Sequence, residues 1–226
     1  MIDIVIPMAG LGSRFSKIGI DTPKPLIEVV GKKLIEHSVT SLGISGRYIF
    51  ITRKYDNPEY NKQLSQVLLD LVPDSIEIKI DHITGGAAET CLCATPYIDN
   101  SSPLVITNCD QLLRWNASDF INALSNADVD GGIVLYKSDD PKNSFAEIVN
   151  GKVLRLHEKV VISDNALVGV HYWKRGKDFV TSAKNLTDNF IRSGLPETYI
   201  SSTYNSLIAR EMNILPFLYR IISLFL

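Results

Sequence analysis

The chain is short of several things that would define other protein classes. It has only three cysteines in 226 residues, Cys91, Cys93 and Cys109. These cannot all pair with one another, and with four scattered histidines they make no zinc-ligand spacing. Cys91 and Cys93 read as core residues on a short helix. Charge of one sign is scarce as well: 23 Lys and Arg against 25 Asp and Glu leave a net charge of −2. That balance excludes a broad basic surface that would hold nucleic acid through its phosphates, while leaving room for a small basic pocket. The longest apolar stretch, residues 214–226, is interrupted by Arg220 and is too short for the roughly 20 residues of a membrane-spanning helix. Stable membrane insertion is therefore not expected, and the stretch should cover the core or meet another copy of the chain. No charged and apolar leader opens the sequence, so the two glycosylation-type triplets at Asn116 and Asn185 are discounted and a reducing cytoplasm is the expected setting.

What is present reads as a globular α/β protein, with 45% apolar and 21% charged residues and a length that suits a single domain. Residues 2–7 form an apolar strand that runs into the glycine loop Met8-Ala9-Gly10-Leu11-Gly12-Ser13-Arg14-Phe15. Helical spacing over 33–42, a β-rich run at 48–52, a helix over 61–71 and alternation at 76–80 follow, then helix 87–94, strand 104–107 and helix 117–124. Such β-α alternation predicts a mostly parallel twisted sheet with a Rossmann-like half over about residues 1–130, with ligands beyond the carboxyl ends of its strands. From about residue 131 to 213 the pattern changes. Strand 132–136, a hairpin of 145–149 with 152–157 around Asn150-Gly151, and strand 166–173 predict added antiparallel strands, with helices at 177–184 and 203–210.

Two short segments carry candidate chemistry by themselves. The loop Gly10-Leu11-Gly12-Ser13-Arg14 follows a strand, so its N–H groups can cradle phosphates and Arg14 can add a fork of donors, although it matches neither standard phosphate fingerprint. Thr22-Pro23-Lys24-Pro25-Leu26 sets a lysine between two prolines, where a stiff backbone aims a long cation. Asn108-Cys109-Asp110 directly follows the strand 104–107, so Asp110 stands where an open α/β sheet presents its ligand-binding groups.

These two segments and five others, in order along the chain, resemble the sugar-phosphate nucleotidyltransferase superfamily. Beside the Met8 to Phe15 stretch and Pro23-Lys24-Pro25-Leu26 stand Gly85-Gly86-Ala87-Ala88-Glu89-Thr90, Asn108-Cys109-Asp110, Phe145-Ala146-Glu147-Ile148, Glu158-Lys159 and Ala166-Leu167-Val168-Gly169-Val170-His171-Tyr172. The resemblance implies a GT-A-like fold and attack of an acceptor phosphate on the α-phosphorus of a nucleoside triphosphate, with release of pyrophosphate. It also implies site roles. Arg14 would meet the β,γ-phosphates, Lys24 the α-phosphate and Lys159 the acceptor phosphate. Ala9, Gly10, Leu11, Gly12, Ser13, Gly85, Gly86, Ala87 and Asn108 would bind the nucleotide, with the backbone of 85–88 reading the base. Phe145, Ala146, Glu158 and Gly169 would contact the acceptor, and Asp110 and Asn205 would hold Mg²⁺.

Asn205 stands where the family carries a second aspartate, and Val160 where it carries proline. The wording Ile6 to Phe15 is most similar to a branch encoded with bacterial capsule genes, which includes CTP:phosphoglutamine cytidylyltransferase. That similarity implies CTP and a small phosphorylated acceptor. The alternatives are a sugar-1-phosphate uridylyl- or thymidylyltransferase and a glycosyltransferase using a nucleotide-sugar.

Overall fold

A computed structural model describes residues 1–190 and 196–219, without the side chains of Ser13 and Arg14. The first strand, β1 (Asp3–Met8), is flanked by the parallel strands β4 (Arg47–Arg53) and β6 (Leu104–Thr107), and β5 (Ile76–Ile80) pairs outside β4. Ile4, Val5, Ile6, Ile49, Phe50, Ile51 and Leu104 to Ile106 are fully buried, as unbroken apolar runs require in a sheet covered on both faces. A small antiparallel pair, β2 (Glu28–Val29) and β3 (Lys32–Lys33), lies apart from this sheet.

Helices make the crossovers. After the single turn α1 (Ser13–Ser16), α2 (Leu34–Leu42) links β1 to β4 and α3 (Pro58–Leu71) links β4 to β5. The short α4 (Ala87–Leu92) and α5 (Thr95–Ile98) lead into β6. α3 begins three residues before the apolar spacing suggests, because Asn57 accepts a hydrogen bond from Glu59 N at 3.0 Å and Pro58 opens the first turn.

The second half extends the same sheet. α6 (Ala117–Asn126) precedes β7 (Gly131–Lys137), and the hairpin β8 (Ser144–Val149) and β9 (Lys152–Glu158) turns at Asn150-Gly151, both with positive φ. β10 (Asn165–Trp173) inserts antiparallel between β6 and β7 and also pairs with β8. α7 (Gly176–Asp188) and α8 (Ile200–Ile208) pack on one face, α8 against β9, and β11 (Ile214–Leu218) closes the edge parallel to β7. The order β11-β7-β10-β6-β1-β4-β5 has one direction throughout except at β10.

The expected α/β class with a mostly parallel sheet and added antiparallel strands is what the structure has. The described part of the terminal apolar stretch packs on the core, as expected, and does so as a strand of the sheet. Residues 214–218 are an edge strand, with Ile214 buried and Phe217 packed 5.3 Å from the ring of Phe120. Residues 220–226 lie outside the described residues. Among the described residues no helix is long and apolar enough to cross a membrane.

Candidate active site

The carboxyl ends of β1, β5 and β6 open into a continuous cleft made of three adjoining cavities of 430, 460 and 280 Å³. The first lies between Ala9 to Gly12 and Gly85 to Ala87. The second, central one is lined by Gly10, Gly12, Lys24, Asp110, Glu158 and Lys159. The third shares Asn108, Asp110, Lys142 and Glu158 with the second and ends at Gly169 and His171.

In the first compartment the glycine pair is there to fit against the chain. Gly86 has φ +147, and a Cβ on it would stand 2.7 Å from both the carbonyl oxygen and Oγ1 of Thr198. The backbone polar groups nearby are mostly taken. Gly85 O accepts from Thr198 N at 2.8 Å, Ala88 N donates to Thr198 O at 2.9 Å, and Gly85 N donates to Glu89 Oε2 at 2.6 Å. Gly86 O accepts from Thr90 N at 2.9 Å and from Thr90 Oγ1 at 3.0 Å. Four of the backbone groups in 85–88 expected to read a base, the N–H of Gly85 and Ala88 and the carbonyls of Gly85 and Gly86, are thus engaged within the chain.

At the centre, Lys24 opens a 3-10 turn, Lys24–Leu26, anchored by buried Pro25 and Leu26, and its ammonium is ion-paired with Asp110 at the end of β6. Stiff proline-flanked backbone and a strand end therefore bring these two charges together from residues 86 positions apart. Cys109 beside them is no nucleophile, since burial pushes its thiol up to about 12. Across the cavity Lys159 takes a left-handed backbone, φ 56, where its N–H donates to Asn143 O at 2.9 Å and ends β9. Its ammonium donates to Tyr199 OH at 2.8 Å and lies 4.7 Å over that ring, and the hydrogen bond raises its pKa. It stays a cation at neutral pH.

In the third compartment Glu158 Oε2 accepts from Ser201 Oγ at 3.0 Å and from Ser144 Oγ, which orients the carboxylate. Gly169 sits where β10 slips register against β7, with φ +94, and a Cβ there would be 2.6 Å from Asn108 Nδ2 and 2.7 Å from Gln111 Nε2. His171 on the floor is fully buried, which pushes its pKa down to about 3 and keeps the imidazole neutral.

Of the residues singled out from sequence, Ala9, Gly10, Leu11, Gly12, Lys24, Gly85, Gly86, Ala87, Asn108, Asp110, Glu158, Lys159 and Gly169 all line this cleft. The side chains of Ser13 and Arg14 lie outside those described. Three expectations are corrected. Phe145 and Ala146 are fully buried in the core, and Ser144, Asn143 and Lys142 just before them reach the cleft instead. Asn205 is not presented to Asp110. Its Oδ1 accepts from Leu156 N and its Nδ2 donates to Leu156 O, each at 2.9 Å, so it ties α8 to β9, and Tyr199, Ile200 and Ser201 of that segment reach the cleft instead. Sequence reasoning also missed Lys142 and Tyr199, which line both inner compartments and carry no local motif.

Among the described residues no group of three or more His, Cys, Asp or Glu side chains is placed to hold a metal ion. Asp110 is nevertheless adequate for Mg²⁺, which is commonly held by one or two carboxylates with substrate phosphates and water filling its shell.

The model of the nucleotidyl transferase family matches residues 4–197 of this chain. The chain belongs to the nucleotidyl transferase family. Among solved structures, this family member is similar to a nucleoside-diphosphate-sugar pyrophosphorylase from Vibrio cholerae RC9, with 27% identity and a TM-score of 0.81 over 96% of this chain and 92% of that one. The inositol-1-phosphate CTP transferase from T. maritima shares the fold, with a TM-score of 0.76 at 16% identity over 98% and 87% of the two chains. Mannose-1-phosphate guanylyltransferase catalytic subunit beta of Drosophila melanogaster is 26% identical over 141 residues, 61% of this chain and 37% of that protein. The chain spans less than half the length of the curated relatives it matches.

Proposed function

We propose that the protein transfers a nucleoside monophosphate from a nucleoside triphosphate to a small phosphorylated acceptor and releases pyrophosphate. The observation that carries this reading is the convergence of Lys24, Asp110 and Lys159 in one cavity bounded by the glycine loop. An acceptor phosphate oxygen bonds to the α-phosphorus while the bond from that phosphorus to the bridging oxygen breaks, so charge grows on phosphate oxygens that two lysines face. Positioning two anions in line and neutralising that charge is most of what such a reaction needs. Lys24 meets the α-phosphate, Lys159 holds the acceptor phosphate, Arg14 meets the β,γ-phosphates, and the Gly86 and Ala87 N–H groups face the nucleoside. Glu158, fixed by its two serines, and the Asn108 and Gln111 amides receive the acceptor's polar body. Mg²⁺ held by Asp110, when bound, supplies further charge neutralisation at the phosphates.

The finer reading is CTP as the triphosphate and a non-sugar phosphate as acceptor, in capsule or surface polysaccharide synthesis in the cytoplasm. It is supported by the Ile6 to Phe15 wording and by Val160 after Glu158-Lys159. A sugar 1-phosphate is the second reading, favoured by the hydroxyls, amides and neutral His171 that line the third compartment and by the named relatives. A pyrophosphate-release screen of CTP, UTP, dTTP, GTP and ATP against sugar 1-phosphates, phosphocholine and phosphorylated amino acids separates the two. CTP with a non-sugar acceptor should be fastest. A faster reaction of UTP, dTTP or GTP with a hexose 1-phosphate would establish the second reading, and transfer of sugar without pyrophosphate release would refute both.

A further inference from the structure

A fourth pocket, of 220 Å³, opens on the β4 side of the glycine loop. Arg53, the last residue of β4, lines it together with Lys24, Gly12, Tyr55, Asn57 and Tyr60. Lys24, Gly10 and Gly12 also line the central cavity, so one lysine and two residues without side chains stand between the two spaces.

The state of Arg53 is what points to a ligand. Its side chain is half-buried, and its Nε is buried with no hydrogen-bond partner among the described residues. Buried donors of a charged group are nearly always paired, because leaving one unpaired forfeits its hydration for nothing. The guanidinium is held in place by packing, 5.0 Å from the centre of the Tyr55 ring. That ring is itself fixed, since Asn61 accepts from Tyr55 N at 2.8 Å and donates to Tyr55 O at 2.7 Å, and Tyr60 packs edge-on at 6.3 Å. Asp21 and Asp56 also line the pocket, but both are exposed and neither is ion-paired with Arg53. A rigid arginine fork beside a shared lysine suits phosphate oxygens.

We propose that Arg53, from this pocket, is a further cation for the β,γ-phosphate end of the nucleoside triphosphate, acting beside the Arg14 of the glycine loop. The inference rests on the nucleotidyl-transfer reading above. With the α-phosphate at Lys24, the tail of the triphosphate passes over Gly10 and Gly12 toward β4. As the acceptor oxygen bonds to the α-phosphorus, the bond between that phosphorus and the α,β-bridging oxygen breaks. Its electron pair leaves on the pyrophosphate, whose added charge falls between Lys24 and Arg53.

The test uses the full chain and its Arg53→Gln and Arg53→Lys variants. Inorganic pyrophosphate is titrated calorimetrically into each, with inorganic phosphate as the control, and steady-state kinetics are measured with the best substrate pair. Arg53→Gln should weaken pyrophosphate binding about 10- to 100-fold, the loss expected for a charged hydrogen bond. It should raise KM for the triphosphate and leave KM for the acceptor within about twofold, while Arg53→Lys recovers part of the binding as a point charge lacking the fork. A lower melting temperature with unchanged pyrophosphate affinity would mean that Arg53 only packs Tyr55, and would overturn the proposal. Turnover in the wild type with Arg53-independent pyrophosphate binding sinks the subsite and spares the nucleotidyl-transfer reading. Arg53-dependent binding with no pyrophosphate released from any triphosphate sinks that reading and leaves only an anion pocket.

Discussion

Replacing Gly169 by alanine adds one methyl group to the cleft at a point where both backbone and neighbours resist it. The residue has φ +94 at the bulge between Leu167 and His171, a conformation that costs a non-glycine residue about 1–3 kcal/mol. The new Cβ would stand 2.6 Å from Asn108 Nδ2 and 2.7 Å from Gln111 Nε2. Both are ends of side chains and can swing, so the clash converts into displacement more than into lost stability. A net cost of about 2 kcal/mol corresponds to about 4–8 °C in Tm for a chain of this size. The displaced groups line the compartment proposed for the acceptor. Asn108 precedes the Cys109-Asp110 turn and Gln111 faces the acceptor compartment, so kcat/KM for the acceptor should fall about tenfold or more, beyond any change for the triphosphate alone. Thermal unfolding followed by circular dichroism and steady-state kinetics with each substrate varied in turn check both halves. A Gly169→Ala protein with the wild-type Tm and wild-type acceptor kinetics would refute the reasoning.

Further outcomes follow from other parts of the site. Lys24→Ala should lower the rate by about two to four powers of ten through loss of a cation at the α-phosphate, and Lys24→Arg should not restore it fully. Because the Lys24 and Asp110 side chains are 30% and 29% exposed, denaturant unfolding should show a stability change of no more than about 1 kcal/mol. Asn205→Ala removes both hydrogen bonds to Leu156 and should destabilise by about 1–2 kcal/mol while leaving the Mg²⁺ dependence of turnover unchanged, and a raised Mg²⁺ requirement would restore Asn205 as a ligand. His171 has its pKa pushed down to about 3, so on acidification the unfolded chain takes up this proton first, near the ordinary pKa of 6.5. Its contribution is present above about 6.5 and is lost at up to about 1.4 kcal/mol per pH unit as the pH falls toward 3. His171→Gln should show a correspondingly shallower pH dependence in urea unfolding between pH 7 and 5, and an unchanged slope would contradict the buried neutral ring.

The central strands were legible because burial on both faces demands the apolar runs that β1, β4 and β6 display, and Asn150-Gly151 announced its hairpin through the positive φ that its tight turn needs. The meeting of Lys24 with Asp110 was foreshadowed by motif order but not by local chemistry, since the contact joins the segments that follow two neighbouring strands, β1 and β6, far apart in the chain. Where reading failed, the cause was an offset or a choice of partner. In a strand one residue separates core from cleft, so Phe145 was taken for the contact that belongs to Ser144. On α8 one helical turn separates Ser201, which reaches Glu158, from Asn205, which binds the β9 backbone. An apolar stretch such as 214–218 reads alike as a cover or as an edge strand, and only the vacant side of β7 decides between them. Arg53 and Tyr199 gain their meaning from neighbours distant in the chain, which no local pattern encodes.

The central claim, that the Lys24 and Asp110 centre performs nucleotidyl transfer, is tested most directly by measuring pyrophosphate released per nucleotide joined to the acceptor, in the wild type and in an Asp110→Ala protein of verified fold. The account predicts one pyrophosphate per product in the wild type and a rate lower by about three powers of ten or more in the variant. Transfer without pyrophosphate, or a folded Asp110→Ala protein that turns over at the wild-type rate, would contradict it.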